Sequence, residues 1–97
     1  MHRNTLTLGA VIAEAQALRY TPAGIPALTL QLDNESECQE AETVRKVTMS
    51  LKAMAFGALA ERLVKQPVGS QWEFQGFLAN GRGGKQVVFH IQEFTPQ

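Results

Sequence analysis

The chain has 97 residues, 44% hydrophobic and 19% charged, enough for one small domain and too few for a multidomain enzyme. No apolar run nears the roughly 18 residues of a membrane span, and the opening MHRNTLTLGA lacks a signal-peptide core, which predicts a soluble cytoplasmic protein with no membrane partner. The net charge of zero hides an asymmetry: Asp33, Glu35, Glu37, Glu40 and Glu42 crowd a segment without Lys or Arg, leaving nine basic against four acidic groups elsewhere.

From Asn4 to Ile12, the residues Leu6, Leu8, Ala10 and Ile12 share one face, the pattern of a strand with one buried side. Gly9 inside it predicts a bulge or bend. The run from Tyr20 to Pro26 carries turn chemistry at Pro22 and Gly24 and predicts a hairpin loop. A second strand follows in ALTLQLD, with Leu28, Leu30 and Leu32 inward. Residues 34–42 have no apolar face, so a flexible acidic loop is expected over about 33–43. In VRKVTMSLK a third strand turns Val47, Met49 and Leu51 inward, and Lys46, Thr48, Ser50 and Lys52 share its outer face.

The period changes at position 53, where Phe56, Leu59, Ala60 and Leu63 have the spacing of a short amphipathic helix that Pro67 prevents from continuing. A fourth strand in QWEFQGFLA puts Trp72, Phe74, Gly76 and Leu78 on one face, and Gly76 among bulky neighbours implies tight curvature. NGRGGK is a glycine-rich hairpin turn, and QVVFHIQEF supplies a fifth strand with Val87, Phe89 and Ile91 inward. Three strands, a helix and two strands in one all-β domain spanning residues 1–97 is the order of a five-stranded Greek-key barrel, the OB-fold, with the helix between strands 3 and 4.

No catalytic constellation is present. NGRGGK fails the phosphate-loop pattern because Lys85 is followed by Gln86, and Ser36, Ser50 and Ser70 sit in no nucleophile motif. The lone Cys38 cannot form an internal disulfide, and with His2 and His90 it makes no zinc ligand set, so no metal or cofactor is expected. An OB-fold binds its ligands across its second and third strands, between the first and last loops. Arg19 and Tyr20 fall at the first loop, Arg45, Lys46 and Lys52 on the third strand, and Arg82 and Lys85 in the last hairpin, a distribution that favours a nucleic-acid backbone. Trp72, Phe74 and Phe89 alternate inward, which leaves Tyr20 and Phe77 as the rings available for stacking. Phe77 and His90 alternate onto outer faces and are expected in a homodimer interface, through which so small a core would gain stability.

The segment from Asn4 to Ser36 resembles the opening of the bacterial primosomal replication protein N (PriB) family. The resemblance rests on Asn4, Leu6, Leu8, Gly9 and Val11, on Pro22, Gly24, Ile25 and Pro26, on Gln75-Gly76-Phe77, and on the basic hairpin before Val87 and His90. It implies a dimeric, nucleoid-associated protein similar in fold to single-stranded DNA-binding proteins. Such a protein binds single-stranded DNA and works with the PriA helicase, DnaT and single-stranded DNA-binding protein in reassembling a replisome at stalled forks. Arg19 matches a basic position of the family, and Lys85 aligns with a lysine across a small gap. Thr48 stands where a family member has a DNA-contacting tryptophan, and Glu35 where it has a basic residue, departures that imply weaker DNA binding. A protein-interaction adaptor with little DNA affinity is the main alternative, and an OB-fold oligosaccharide or RNA binder is a third.

Overall fold

A computed structural model describes residues 1–97 and contains six strands and one helix. Strand β1 (Leu6–Ala15) is followed by the two-residue β2 (Arg19–Tyr20), then by β3 (Pro26–Glu40) and β4 (Thr43–Phe56). Helix α1 (Ala58–Leu63), β5 (Gln71–Asn80) and β6 (Val87–Thr95) complete the chain. The sheet runs β1-β5-β6-β4-β3-β2, and an added β1–β3 pairing closes the five long strands into the Greek-key OB barrel. Because β2 intervenes, the helix expected after the third strand lies between β4 and β5.

The alternating residues meet inside the barrel. Ile12, Leu28, Leu30, Leu32, Phe74, Phe89 and Ile91 are buried together, and Ala60 and Leu63 of α1 close one end. Strand β1 serves two partners, lying against β5 from Leu6 to Val11 and against β3 from Val11 to Ala15. The change of partner requires a bulge, and the register shift falls between Ile12 and Glu14. It does not fall at Gly9, which keeps its place in the ladder opposite Glu73. Gly76 does mark the sharp bend: the β5–β6 register shifts between Gln75 and Gly76, where the backbone of His90 occupies the space a side chain would need.

Four expectations are corrected. Residues 34–42 are not a flexible loop: β3 and β4 pair without a break from Ala27↔Phe56 to Glu40↔Thr43, and the turn is only Ala41 and Glu42, at φ +50° and +66°. Both residues having positive φ is the mark of a type I′ hairpin turn, whose twist matches the strands it joins. This stretch is a two-stranded ribbon projecting past the barrel, so it has no inner face to populate with apolar residues, and Met49, expected inward, is exposed. Strand β4 also continues through Phe56, with Ala53 and Ala55 fully buried between β3 and β6. The helix is therefore six residues long, starting after Gly57 at φ +75°, and Phe56 is exposed on the outer face instead of lying in a core stripe. Val87 is likewise exposed, because β6 enters the barrel only at Val88 and Phe89.

Candidate nucleic-acid interface

One rim of a groove is the β1–β3 connection. Pairing of Arg19 with Ala27 and Tyr20 with Pro26 makes it a small hairpin. Its tip is held by the Thr21 N–H donating to the Ile25 carbonyl (2.9 Å), the Gly24 N–H to the Thr21 carbonyl (2.8 Å), and the Ile25 N–H to Thr21 Oγ1 (3.1 Å). Gly24 sits at φ +82°, a conformation that only glycine takes without strain. The facing rim is the β5–β6 hairpin, in which the Gly81 N–H donates to the Gln86 carbonyl (2.7 Å) and Gly83 and Gly84 have positive φ. Strand alternation supplies the floor: Lys52, Met54 and Phe56 from the outer face of β4, beside Val88 of β6.

Together these elements enclose about 490 Å³, and the lining includes Arg19, Lys52 and Arg82 but no carboxylate. A second concavity of about 500 Å³ lies beside β1, and its charged lining groups are Asp33 and Glu35. A polyphosphate chain is attracted to the first and repelled by the second.

Of the residues singled out in the sequence, Arg19, Tyr20, Lys52 and Arg82 meet in this groove. Lys85 is exposed in the same hairpin but does not line it. Lys46 shares a face of β4 with Lys52 but lies about 20 Å farther along the ribbon, paired across from Glu37. Arg45 alternates to the opposite face, where its Nη1 donates to Glu40 Oε1 at 2.8 Å. Phe77 and His90 sit outside the groove, half-buried and paired across β5 and β6, with ring centroids 5.0 Å apart and 9° between planes. Trp72 packs edge-on against Phe94 at 5.0 Å and donates its Nε1–H to Ser70 Oγ (2.9 Å), so its ring is occupied within the barrel wall. Met54 and Phe56 are among the lining residues that sequence reasoning missed. The signal was present in Ala53-Met54-Ala55-Phe56, where small inward and large outward residues prolong the period of two.

The groove thus combines three cations with exposed apolar surface, a composition suited to a charged chain carrying flat apolar groups. A family model described as another single-strand binding protein family matches residues 4–93. The replication restart protein PriB of Bordetella pertussis is 45% identical over 91 residues, which cover 93% of this chain and 85% of that protein. The chain belongs to the PriB family of replication restart proteins. A solved structure of PriB from Ralstonia solanacearum superposes with a TM-score of 0.89 at 36% identity, covering 98% of each chain. The single-stranded DNA-binding protein domain from Synechococcus has a TM-score of 0.74 at 21% identity, over 97% of this chain and 96% of that one, and so shares the fold. The Ralstonia protein therefore shares the closed barrel described above, and no helix of this chain is long and apolar enough to cross a membrane.

Proposed function

We propose that this PriB-family chain is a single-stranded DNA-binding accessory protein of the replication restart primosome. It bridges DNA and the PriA helicase with DnaT, alongside single-stranded DNA-binding protein, while the replisome reassembles at stalled forks. The observation that carries this reading is the convergence of Arg19, Lys52 and Arg82 on one groove that holds no carboxylate. Cations there neutralise phosphates and release condensed counterions, and the exposed ring of Tyr20 offers a face to an unpaired base. The role is one of binding and not catalysis, it is exercised in the cytoplasm at the nucleoid, and the protein acts as a homodimer joined through Phe77 and His90.

One observation favours the adaptor reading. Along the ribbon, Glu35 pairs across from Thr48 and Glu37 from Lys46, so carboxylates flank the outer face that would otherwise extend the DNA path. DNA contact is therefore confined to the barrel end, and the ribbon is left to protein partners.

Fluorescence anisotropy of labelled single-stranded DNA, duplex DNA and RNA at several salt concentrations tests the proposal. With three or four phosphates neutralised per subunit, log affinity should fall with log salt at a slope of about −2 to −3. Arg82→Ala with Lys85→Ala should flatten that slope by about 1. Absence of single-strand binding at low salt would establish the adaptor instead, and tighter binding of RNA would favour the third reading.

A further inference from the structure

We propose that a small polar pocket beside the cationic groove reads the edge of one unpaired base and prefers cytosine to thymine. The proposal rests on the single-strand reading above and adds a base preference to the same binding face. The pocket encloses about 180 Å³ and is lined by Glu14, Gln16, Thr29, Leu30, Gln31 and Lys52. Lys52 also lines the groove, so the two spaces adjoin.

A bulge puts Glu14 in this place. Ala10 and Ile12 are buried, and unbroken alternation along β1 would carry the Glu14 carboxylate into the core beside them. Instead the register of β1 on β3 passes from Ile12↔Leu32 directly to Glu14↔Gln31, with Ala13 as the extra residue, and the bulge re-aims Glu14 onto the outer face. Gln31 pairs in turn with Lys52 of β4, so Glu14, Gln31 and Lys52 form one row across three strands. Thr29, two residues from Gln31 on the same face of β3 and 6% exposed, supplies the floor. The chain's one ion pair joins Arg45 and Glu40, which leaves Glu14 and Lys52 free for a ligand.

The order of the row selects the base. A carboxylate only accepts hydrogen bonds, a carboxamide donates and accepts, and an ammonium only donates. The pairing edge of cytosine presents a donor at N4 and then acceptors at N3 and O2, which match Glu14, the Gln31 amide N–H and Lys52 in that order. Thymine has a carbonyl at both ends of its edge, so either orientation sets an oxygen against the Glu14 carboxylate. That carboxylate also repels phosphate, so a strand whose phosphates lie with Arg19 and Arg82 brings a base and not its backbone to Glu14. Duplex DNA keeps its pairing edges occupied and cannot use the pocket.

The experiment measures anisotropy with oligo(dC), oligo(dT) and an oligomer of 2-pyrimidinone, which is cytosine without its 4-amino group, at mildly alkaline pH where cytosine runs stay unpaired. The wild-type protein should bind oligo(dC) about 5-fold to 100-fold more tightly than oligo(dT), the range of one well-made base-edge contact. The 2-pyrimidinone oligomer, a comparison that needs no variant, should bind more weakly than oligo(dC). Glu14→Gln should bind both natural oligomers more tightly, because a negative charge is removed, and should bring them to parity, because a carboxamide offers an N–H to the thymine carbonyl.

Equal or reversed affinity of the wild type for oligo(dC) and oligo(dT) would overturn the proposal while leaving a salt-dependent single-strand binder. So would a cytosine preference that persists undiminished in Glu14→Gln, or a 2-pyrimidinone oligomer bound as tightly as oligo(dC), since either would place the source of the preference away from Glu14. No binding of single strands by the wild type would overturn both readings.

Discussion

At Gly76 the chain leaves no room for even one methyl group. The register shift brings the His90 carbonyl of β6 against its α-carbon, and the Phe89 ring stands 3.0 Å from where a Cβ would be. A side chain here would have to push the β6 backbone outward and spoil the packing of Phe89, which is fully buried. Gly76→Ala should therefore cost about 1 to 3 kcal/mol in urea unfolding, the usual penalty of overpacking. A loss below about 0.5 kcal/mol would mean that the bulge relaxes freely. The sequence carried half of this information: a glycine among Phe74, Phe77 and Leu78 announced curvature, but only the cross-strand neighbour shows that the constraint is steric. Gly24 is the converse case. Nothing lies near its missing side chain, and its φ of +82° alone selects glycine.

Among the elements, the β3–β4 ribbon departs most from a reading of hydropathy. Its outer part is paired on one edge only and exposed on both faces, so its stability rests on backbone hydrogen bonds and exposed cross-strand pairs such as Arg45 and Glu40. An exposed ion pair of that kind contributes about 0.2 to 1 kcal/mol. The turn itself is costly, since Ala41 and Glu42 both hold a left-handed conformation that residues with a side chain adopt at roughly 1 kcal/mol or more each. Replacing them with Asn and Gly, the residues that type I′ turns prefer, should stabilise the ribbon by on the order of 1 kcal/mol. Amide hydrogen exchange would read this as slower exchange at Ser36, Cys38 and Arg45, whose N–H groups face the partner strand. Exchange at the rate of an unstructured peptide in both proteins would show that the ribbon does not persist in solution. Residues 34–42 looked like a loop because strand patterning in a sequence reports burial, and a free ribbon buries neither face.

For the whole molecule, the cationic groove and the Phe77–His90 pair define two distinct surfaces. Acidic groups line the ribbon while Arg19, Lys52 and Arg82 gather at the barrel end, so a neutral chain presents a cationic groove. Phe77 and His90 lie on the outer side of β5 and β6, where a second copy would cover them. Phe77→Glu places a carboxylate in that surface and should move a dimer toward monomer in sedimentation equilibrium at tens of micromolar protein. Wild-type protein that sediments at monomer mass under the same conditions would dismiss this interface.

The sequence by itself determined the barrel. Leu28, Leu30, Leu32, Phe74 and Phe89 alternate because each strand has one buried face, and that periodicity is local, so it is written directly in the order of residues. The motif spacings likewise pointed to the PriB family before any contact between strands was known. Tertiary structure alone decided the composition of the groove. Arg19, Lys52 and Arg82 are far apart in the chain and meet only when the barrel closes, whereas Arg45, adjacent in sequence to Lys46, turns to the opposite face and pairs with Glu40. The fate of Phe56 was decided in the same way. Its spacing to Leu59 and Leu63 fits a helix stripe as well as it fits the end of a strand, and the choice falls to the strand because Ala53 and Ala55 are needed between β3 and β6. Local pattern fixes which faces are apolar; the closure of the sheet fixes which of the remaining faces become neighbours.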